Sequence, residues 1–266
     1  MLSWHTKRMT TLSVSAYGDH TVPGSLRRTI RASRAVRAVH DEPGPCGDVA
    51  IAVPLPDARI ATVLVDVAGH GQSRSLLASS VSSAVLRRLI ADGSPAEALA
   101  AGDDALRAFP DDLPYAVAFA AILNPATGVA IYASAGHDLA FTLDRDGRVY
   151  PLRPTAPMLG IPLTLNPCDA LVQLPEQGCF VIASDGVGDS RPEGEYDFFG
   201  RHRAAAAVVR ALRSAGDPAH ALVEAARAHA GDRLCDDASA VVVHCSIPAV
   251  ASPPHEPAWP ALKLAG

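Results

Sequence analysis

Apolar and polar positions change their period several times along the chain, and each change predicts an element. Two apolar runs, Ala50 to Leu55 and Ile60 to Val67, flank Pro56-Asp57, which predicts an antiparallel hairpin whose second strand carries Asp66 near its end. From Gln72 to Asp92 the residues Leu76, Leu77, Val81, Ala84, Val85 and Leu89 recur at helical spacing, and Gly93 supplies a stop. Pro95 to Ala108 predicts a second helix. Four short runs follow, Ala116 to Leu123, Val129 to Ala135, Leu139 to Leu143 and Arg148 to Leu152. The turn segments 124–128 and 144–147 punctuate them, which predicts a meander of antiparallel strands. Leu171 to Leu174 and Phe180 to Ala183 resume the strand pattern. Helices are predicted over 202–214 and 218–230, with Gly216 and Gly231 as terminators, and a last strand over Ala238 to Cys245. Extensive antiparallel sheet with segregated helices predicts an α+β fold.

The ends differ from this pattern. Residues 1–28 are polar with a turn signal at Val22-Pro23-Gly24, and 247–266 carry Pro248, Pro253, Pro254, Pro257 and Pro260, a poor basis for regular structure. We therefore expect an N-terminal extension (1–28), one main domain (29–246) and a Pro-rich tail (247–266). The 266 residues are 48% apolar and 19% charged, enough for a large core. A net charge of −5 argues against binding driven by nucleic-acid phosphates. No stretch approaches the roughly 18 apolar residues of a membrane span, and the N-terminus lacks the apolar core of a signal peptide. Five cysteines without a CxxC pair fit neither a disulfide framework nor a zinc ribbon, which leads us to expect a reduced, cytoplasmic setting.

Four aspartates change the picture from fold to chemistry. Asp48, Asp66, Asp185 and Asp236 each open or end an apolar run, in Cys46-Gly47-Asp48, Asp66-Val67-Ala68-Gly69-His70-Gly71, Ser184-Asp185-Gly186 and Asp236-Asp237-Ala238-Ser239. Carboxylates at strand ends are held rigidly and can converge from distant parts of a chain. Hard oxygen donors of this kind suit magnesium or manganese and disfavour zinc. Two such ions about 3.5–4 Å apart can turn water into a nucleophile toward phosphorus. Each Asp-Gly alone is usually a turn; the ordered set of four argues for a metal centre.

With Ala133-Ser134-Ala135-Gly136-His137 and Leu159-Gly160 added, the ordered motifs resemble the bacterial SpoIIE-type branch of the metal-dependent type 2C (PPM) protein serine/threonine phosphatases. The resemblance implies a four-layer α/β/β/α sandwich, two antiparallel sheets flanked by helices, with two divalent cations, manganese or magnesium, at one end. It implies that Asp48 and Asp66 act in catalysis, Asp66 bridging the ions, and that the Val67 carbonyl, Asp185 and Asp236 complete the ligand set. Of Asp236 and Asp237, the first is the expected ligand and the second a hydrogen-bonding residue. Gly47, Gly69 and Gly186 are expected to leave room near the ions. A PPM histidine two residues after the bridging aspartate is replaced by Ala68, so His70 either closes the turn or lies near the site. His137 is expected to be a structural turn residue. Cys46 stands where glycine is commonest, and a soft thiol is expected not to bind hard cations.

The substrate implied by the resemblance is a phosphorylated STAS-domain anti-anti-sigma protein in a partner-switching stress response, linked to an anti-sigma kinase. Two other functions compete: a catalytically weak PPM-fold binding module, and a hydrolase of small phosphate esters.

Overall fold

The structure is a computed structural model that describes residues 10–16, 28–38, 46–69, 71–109 and 114–246. In chain order the strands are β1 (Thr10–Ala16), β2 (Arg28–Arg37), β3 (Asp48–Pro54), β4 (Ile60–Val67), β5 (Ala116–Asn124), β6 (Val129–Ala135), β7 (Ala140–Leu143), β8 (Val149–Pro151), β9 (Ala170–Gln173), β10 (Cys179–Ala183) and β11 (Ala238–Ser246). Helices α1 (Gln72–Asp92) and α2 (Pro95–Arg107) follow β4, while α3 (Asp185–Gly188), α4 (Gly200–Arg213) and α5 (Pro218–His229) lie between β10 and β11. One sheet has the order β1-β2-β11-β10-β7-β8 and the other β3-β4-β5-β6-β9. All neighbouring strands are antiparallel.

Side-chain alternation divides the core into three layers. Val63 and Val65 of β4 face out from the five-stranded sheet onto Val81, Val85 and Leu89 of α1 and Leu99 of α2. Ile60 and Leu64, one residue out of phase, face the other sheet and meet Phe180, Ile182, Val241 and Val243. On the far side of the six-stranded sheet, Val181, Ala183 and Val242 pack on Val208 of α4 and Leu222 of α5. This is an α/β/β/α sandwich. Phe119 of β5 clasps the two sheets, 5.7 Å edge-on to Phe180 of β10 and stacked at 5.4 Å on Tyr132 of β6. Such aromatic pairs contribute about 0.5–1.5 kcal/mol each beyond their burial.

Helix ends follow their capping chemistry. Ser94 caps α2 by accepting from the Glu97 amide, with Pro95 at the first helical position, and Asp217 caps α5 by accepting from His220, ahead of Pro218. Three features depart from the pattern read in the sequence. The predicted meander is split: β5 and β6 stay in one sheet, and the chain crosses at residues 136–139 so that β7 and β8 join the other. Thr10–Ala16, assigned to the extension, forms an edge strand on β2. Leu76, counted on the apolar face of α1, is 67% exposed, because the buried stripe runs through Leu77, Val81, Val85 and Leu89. The Pro-rich tail lies outside the described residues.

Candidate metal centre

Register brings the first two aspartates together. Asp48 opens β3 and pairs directly with Asp66 near the end of β4. Directly opposed residues of an antiparallel pair share a face, and here it is the face of Ala50 and Leu64, so both carboxylates enter the gap between the sheets at its open end. The other sheet meets them with the same alternation: Ser184 continues the inward face of Phe180 and Ile182, while Asp237 and Ser239 continue that of Val241 and Val243. Asp185 begins α3 just beyond β10, and Asp236 sits just before β11.

The carboxylates feel one another. Burial, and then the charges of Asp185 and Asp236, hold the Asp66 carboxyl up at about 7. Asp48, 5% exposed, is pushed well above the usual carboxylate range by burial and by Asp66, against the opposing pull of the Ser184 and Ser239 hydroxyls. Asp185 is raised by burial, then by Asp236 and Asp189. A divalent cation would relieve this mutual repulsion, and the structure offers a direct sign of fit: Asp48 Oδ2 is buried with no hydrogen-bond partner. The donors are hard oxygens throughout. Among the described residues, no three His, Cys, Asp or Glu side chains are already gathered tightly enough to hold an ion.

Asp236 and Asp237 part company. Asp236 is exposed and acts on Asp66 and Asp185, whereas Asp237 is 3% exposed and its Oδ2 accepts the Gly47 amide at 2.7 Å, linking β11 to the start of β3. The Val67 amide in turn donates to the Gly47 carbonyl at 3.2 Å. Glycine is needed here mainly for backbone contact. A Cβ on Gly186 would lie 2.0 Å from the Asp237 carbonyl oxygen, and one on Gly47 would lie 3.0 and 3.1 Å from the Gly69 and Val67 carbonyl oxygens. Gly69 instead has φ +94, a conformation costly for any residue with a side chain.

Cys46 has its thiol pushed up by burial and by the nearby Asp48 and Asp237, so it stays protonated. His70 lies outside the described residues. His137 is buried at the crossover, edge-on to Phe119 at 5.9 Å, and burial brings its imidazole down to about 4. Sequence reading missed Ser184, Ser239 and Asp189 as neighbours of the acidic cluster. Strand alternation carried the signal for the two serines, each two residues from an inward-facing apolar position.

Comparisons with known proteins agree with this architecture. The family model described as "Stage II sporulation protein E (SpoIIE)" matches residues 56–246, which include Asp66, Asp185 and Asp236 but not Asp48. Among curated proteins, no sequence relative is matched. The fold is similar to the RsbU and RsbW domains of Rv1364c from Mycobacterium tuberculosis (TM-score 0.66, 21% identity, 82% of this chain and 62% of that one). It is similar also to the PP2C phosphatase domain with a regulatory-domain fragment of SpoIIE from Bacillus subtilis (TM-score 0.67, 17% identity, 82% and 64%). A third is the catalytic domain of the serine/threonine phosphatase PstP with two manganese ions (TM-score 0.59, 18% identity, 82% and 99%). The chain thus spans less than two thirds of the first two. Among the described residues, no helix is long and apolar enough to cross a membrane. The chain belongs to the SpoIIE family, and its fold is the one that these phosphatase domains share.

Proposed function

We propose that this chain hydrolyses phosphoserine or phosphothreonine on a protein, using two divalent cations, manganese or magnesium, held by Asp48, Asp66, the Val67 carbonyl, Asp185 and Asp236. The observation that carries this reading is the Asp48–Asp66 register pair, which aims two mutually repelling carboxylates into the gap where Asp185 and Asp236 also act. When bound, the cations supply a nucleophile from water at neutral pH and offset the charge of the phosphoryl oxygens. Asp237 fixes the Gly47 amide and so the entry into β3, which sets where Asp48 stands. No protein nucleophile is required, in keeping with a Cys46 thiol that stays protonated.

A phosphorylated STAS-domain protein in a partner-switching pathway with an anti-sigma kinase is the substrate we favour. Support comes from family membership and from the RsbU–RsbW chain with which the fold is shared. Cys46, Cys168 and Cys235 are free thiols, which suits a reduced cytoplasm. A binding module without catalysis is disfavoured because all four carboxylates are retained. The test is phosphate release from a phosphoserine protein and from p-nitrophenyl phosphate, with manganese, with magnesium and after chelation. Release that needs the metal, returns on its re-addition and favours the protein substrate supports the reading. Release that survives exhaustive chelation sinks the metal mechanism, and a preference for the small ester would make the chain a general phosphate-ester hydrolase.

A further inference from the structure

A cleft of about 410 Å³ opens beside Asp185, between the crossover at 136–139 and the segment that runs from α3 into α4. That volume lies within the roughly 300–1,000 Å³ of ordinary ligand sites. Its walls include His137, Asp138, Asp185, Asp189, Phe198 and Arg201. One observation marks this wall as short of a partner. Arg201, in the first turn of α4, donates through Nη2 to the Asp138 carbonyl at 2.7 Å, while its Nε is buried with no acceptor. His137, 3% exposed, lies beside it with its ring against the Ala183 backbone. Donors in native proteins normally find acceptors, so a guanidinium in a cleft wall with hydrogen-bonding capacity left over is placed to receive one.

The wall is also rigid. Arg203 holds Asp197 with two hydrogen bonds, at 2.9 and 3.1 Å, and donates to the Phe198 carbonyl. His229 Nε2 lies 2.7 Å from the Asp197 carbonyl, and the Arg191 guanidinium sits 4.7 Å over the Phe198 ring. Pre-organisation of this kind lowers the cost of ordering a bound chain. We propose that the cleft receives the polypeptide flanking the phosphorylated residue, and that Arg201 binds a main-chain carbonyl of that segment. A carbonyl is favoured over an acidic side chain because Asp138, Asp185 and Asp189 share the cleft and repel a second carboxylate. The Phe198 ring offers an apolar face to the flanking side chain. This inference rests on the phosphatase reading, since Asp185 at the cleft's end is one of the proposed metal ligands.

The test uses the full chain with manganese and two kinds of substrate. A fluorescent peptide carrying the non-hydrolysable phosphonate analogue of phosphoserine reports binding by anisotropy; turnover is followed on the matching phosphoserine peptide and on p-nitrophenyl phosphate. Hydrogen bonds from charged groups are strong, so Arg201→Ala should weaken phosphonate-peptide binding about tenfold or more. The loss should fall on KM more than on kcat and should exceed the loss on p-nitrophenyl phosphate. Arg201→Lys, which keeps the charge but not the planar donor fork, should recover only part of the affinity. Equal losses on peptide and small ester, or unchanged peptide binding in a folded Arg201→Ala variant, overturn the subsite. Peptide binding that depends on Arg201 in a wild-type protein that releases no phosphate would leave the subsite standing and remove the phosphatase reading.

Discussion

At the residue scale the site separates groups that are close in sequence but different in chemistry. Burial and then the charges of Asp185 and Asp236 raise the Asp66 carboxyl, a hard oxygen donor, whereas burial and then Asp48 and Asp237 raise the Cys46 thiol, a soft one. Asp66→Ala removes a donor that no other group near it replaces, so turnover should fall by several orders of magnitude. Cys46→Gly should keep its metal dependence and stay within a few-fold, because hard cations prefer the oxygens already present. Parallel assays of phosphate release across a manganese titration check both; a Cys46→Gly loss as deep as that of Asp66→Ala would make the thiol a chemical participant. Asp237 makes a third comparison. Its Oδ2 accepts the Gly47 amide while the exposed Asp236 acts on Asp66 and Asp185, so Asp237→Asn should lower thermal stability and disturb the site through the position of β3. Asp236→Asn should weaken metal binding with little change in the melting temperature of the metal-free protein.

At the element scale, what was legible in the sequence was whatever depends on local period. The hairpin of β3 and β4 and the long helix α1 follow from spacing and turn chemistry alone. What was not legible is where a strand goes after it ends. Nothing in Gly136-His137-Asp138 says that β6 and β7 belong to different sheets, because either sheet would bury the same apolar faces. The same limit hid the serines opposite Asp48 and the cleft beside Asp185, which exist only once β10 and β11 are stacked over β3 and β4. Gly186 shows how closely the chain beyond β10 runs against the chain entering β11 in the same sheet, since a Cβ there would collide with the Asp237 carbonyl oxygen at 2.0 Å. Backbone on backbone cannot yield as a side-chain tip can. Gly186→Ala should therefore cost more than an ordinary surface change, which is usually within about 0.5 kcal/mol, and should lower metal affinity along with stability. Urea unfolding and a manganese titration of the variant check this; wild-type values in both would mean that the turn after β10 has slack that its geometry does not suggest.

At the scale of the whole molecule, the acidic gap sets how stability depends on pH, and two kinds of buried group pull in opposite directions. Asp66 is held at about 7 against 3.8 for an ordinary aspartate, and Asp48 is raised as well. The folded protein therefore keeps protons that the unfolded chain gives up. The Asp66 contribution to stability is complete below pH 3.8 and is lost as the pH rises toward 7, and that of Asp48 has the same sign. His137 has the opposite sign: lowered from 6.5 to about 4, it resists charging when folded, so its contribution is present above 6.5 and is lost as the pH falls toward 4. The two effects overlap over much of the acid range and partly cancel, so a wild-type melting curve alone would be a poor test. The difference between wild type and Asp66→Asn removes the histidine term, because both proteins share it. In chelator, the variant should gain on wild type steadily from pH 4 to 7 and then hold its advantage, since asparagine never has to ionise beside Asp185 and Asp236. In manganese the order should reverse at neutral pH, because cations bind the ionised carboxylates, stabilise by mass action and displace the protons that Asp66 otherwise holds. Melting temperatures measured across this range in both buffers decide it: curves for wild type and variant that run parallel in chelator would show that Asp66 is not ionising against its neighbours, and with that the electrostatic case for a cation in the gap would fail.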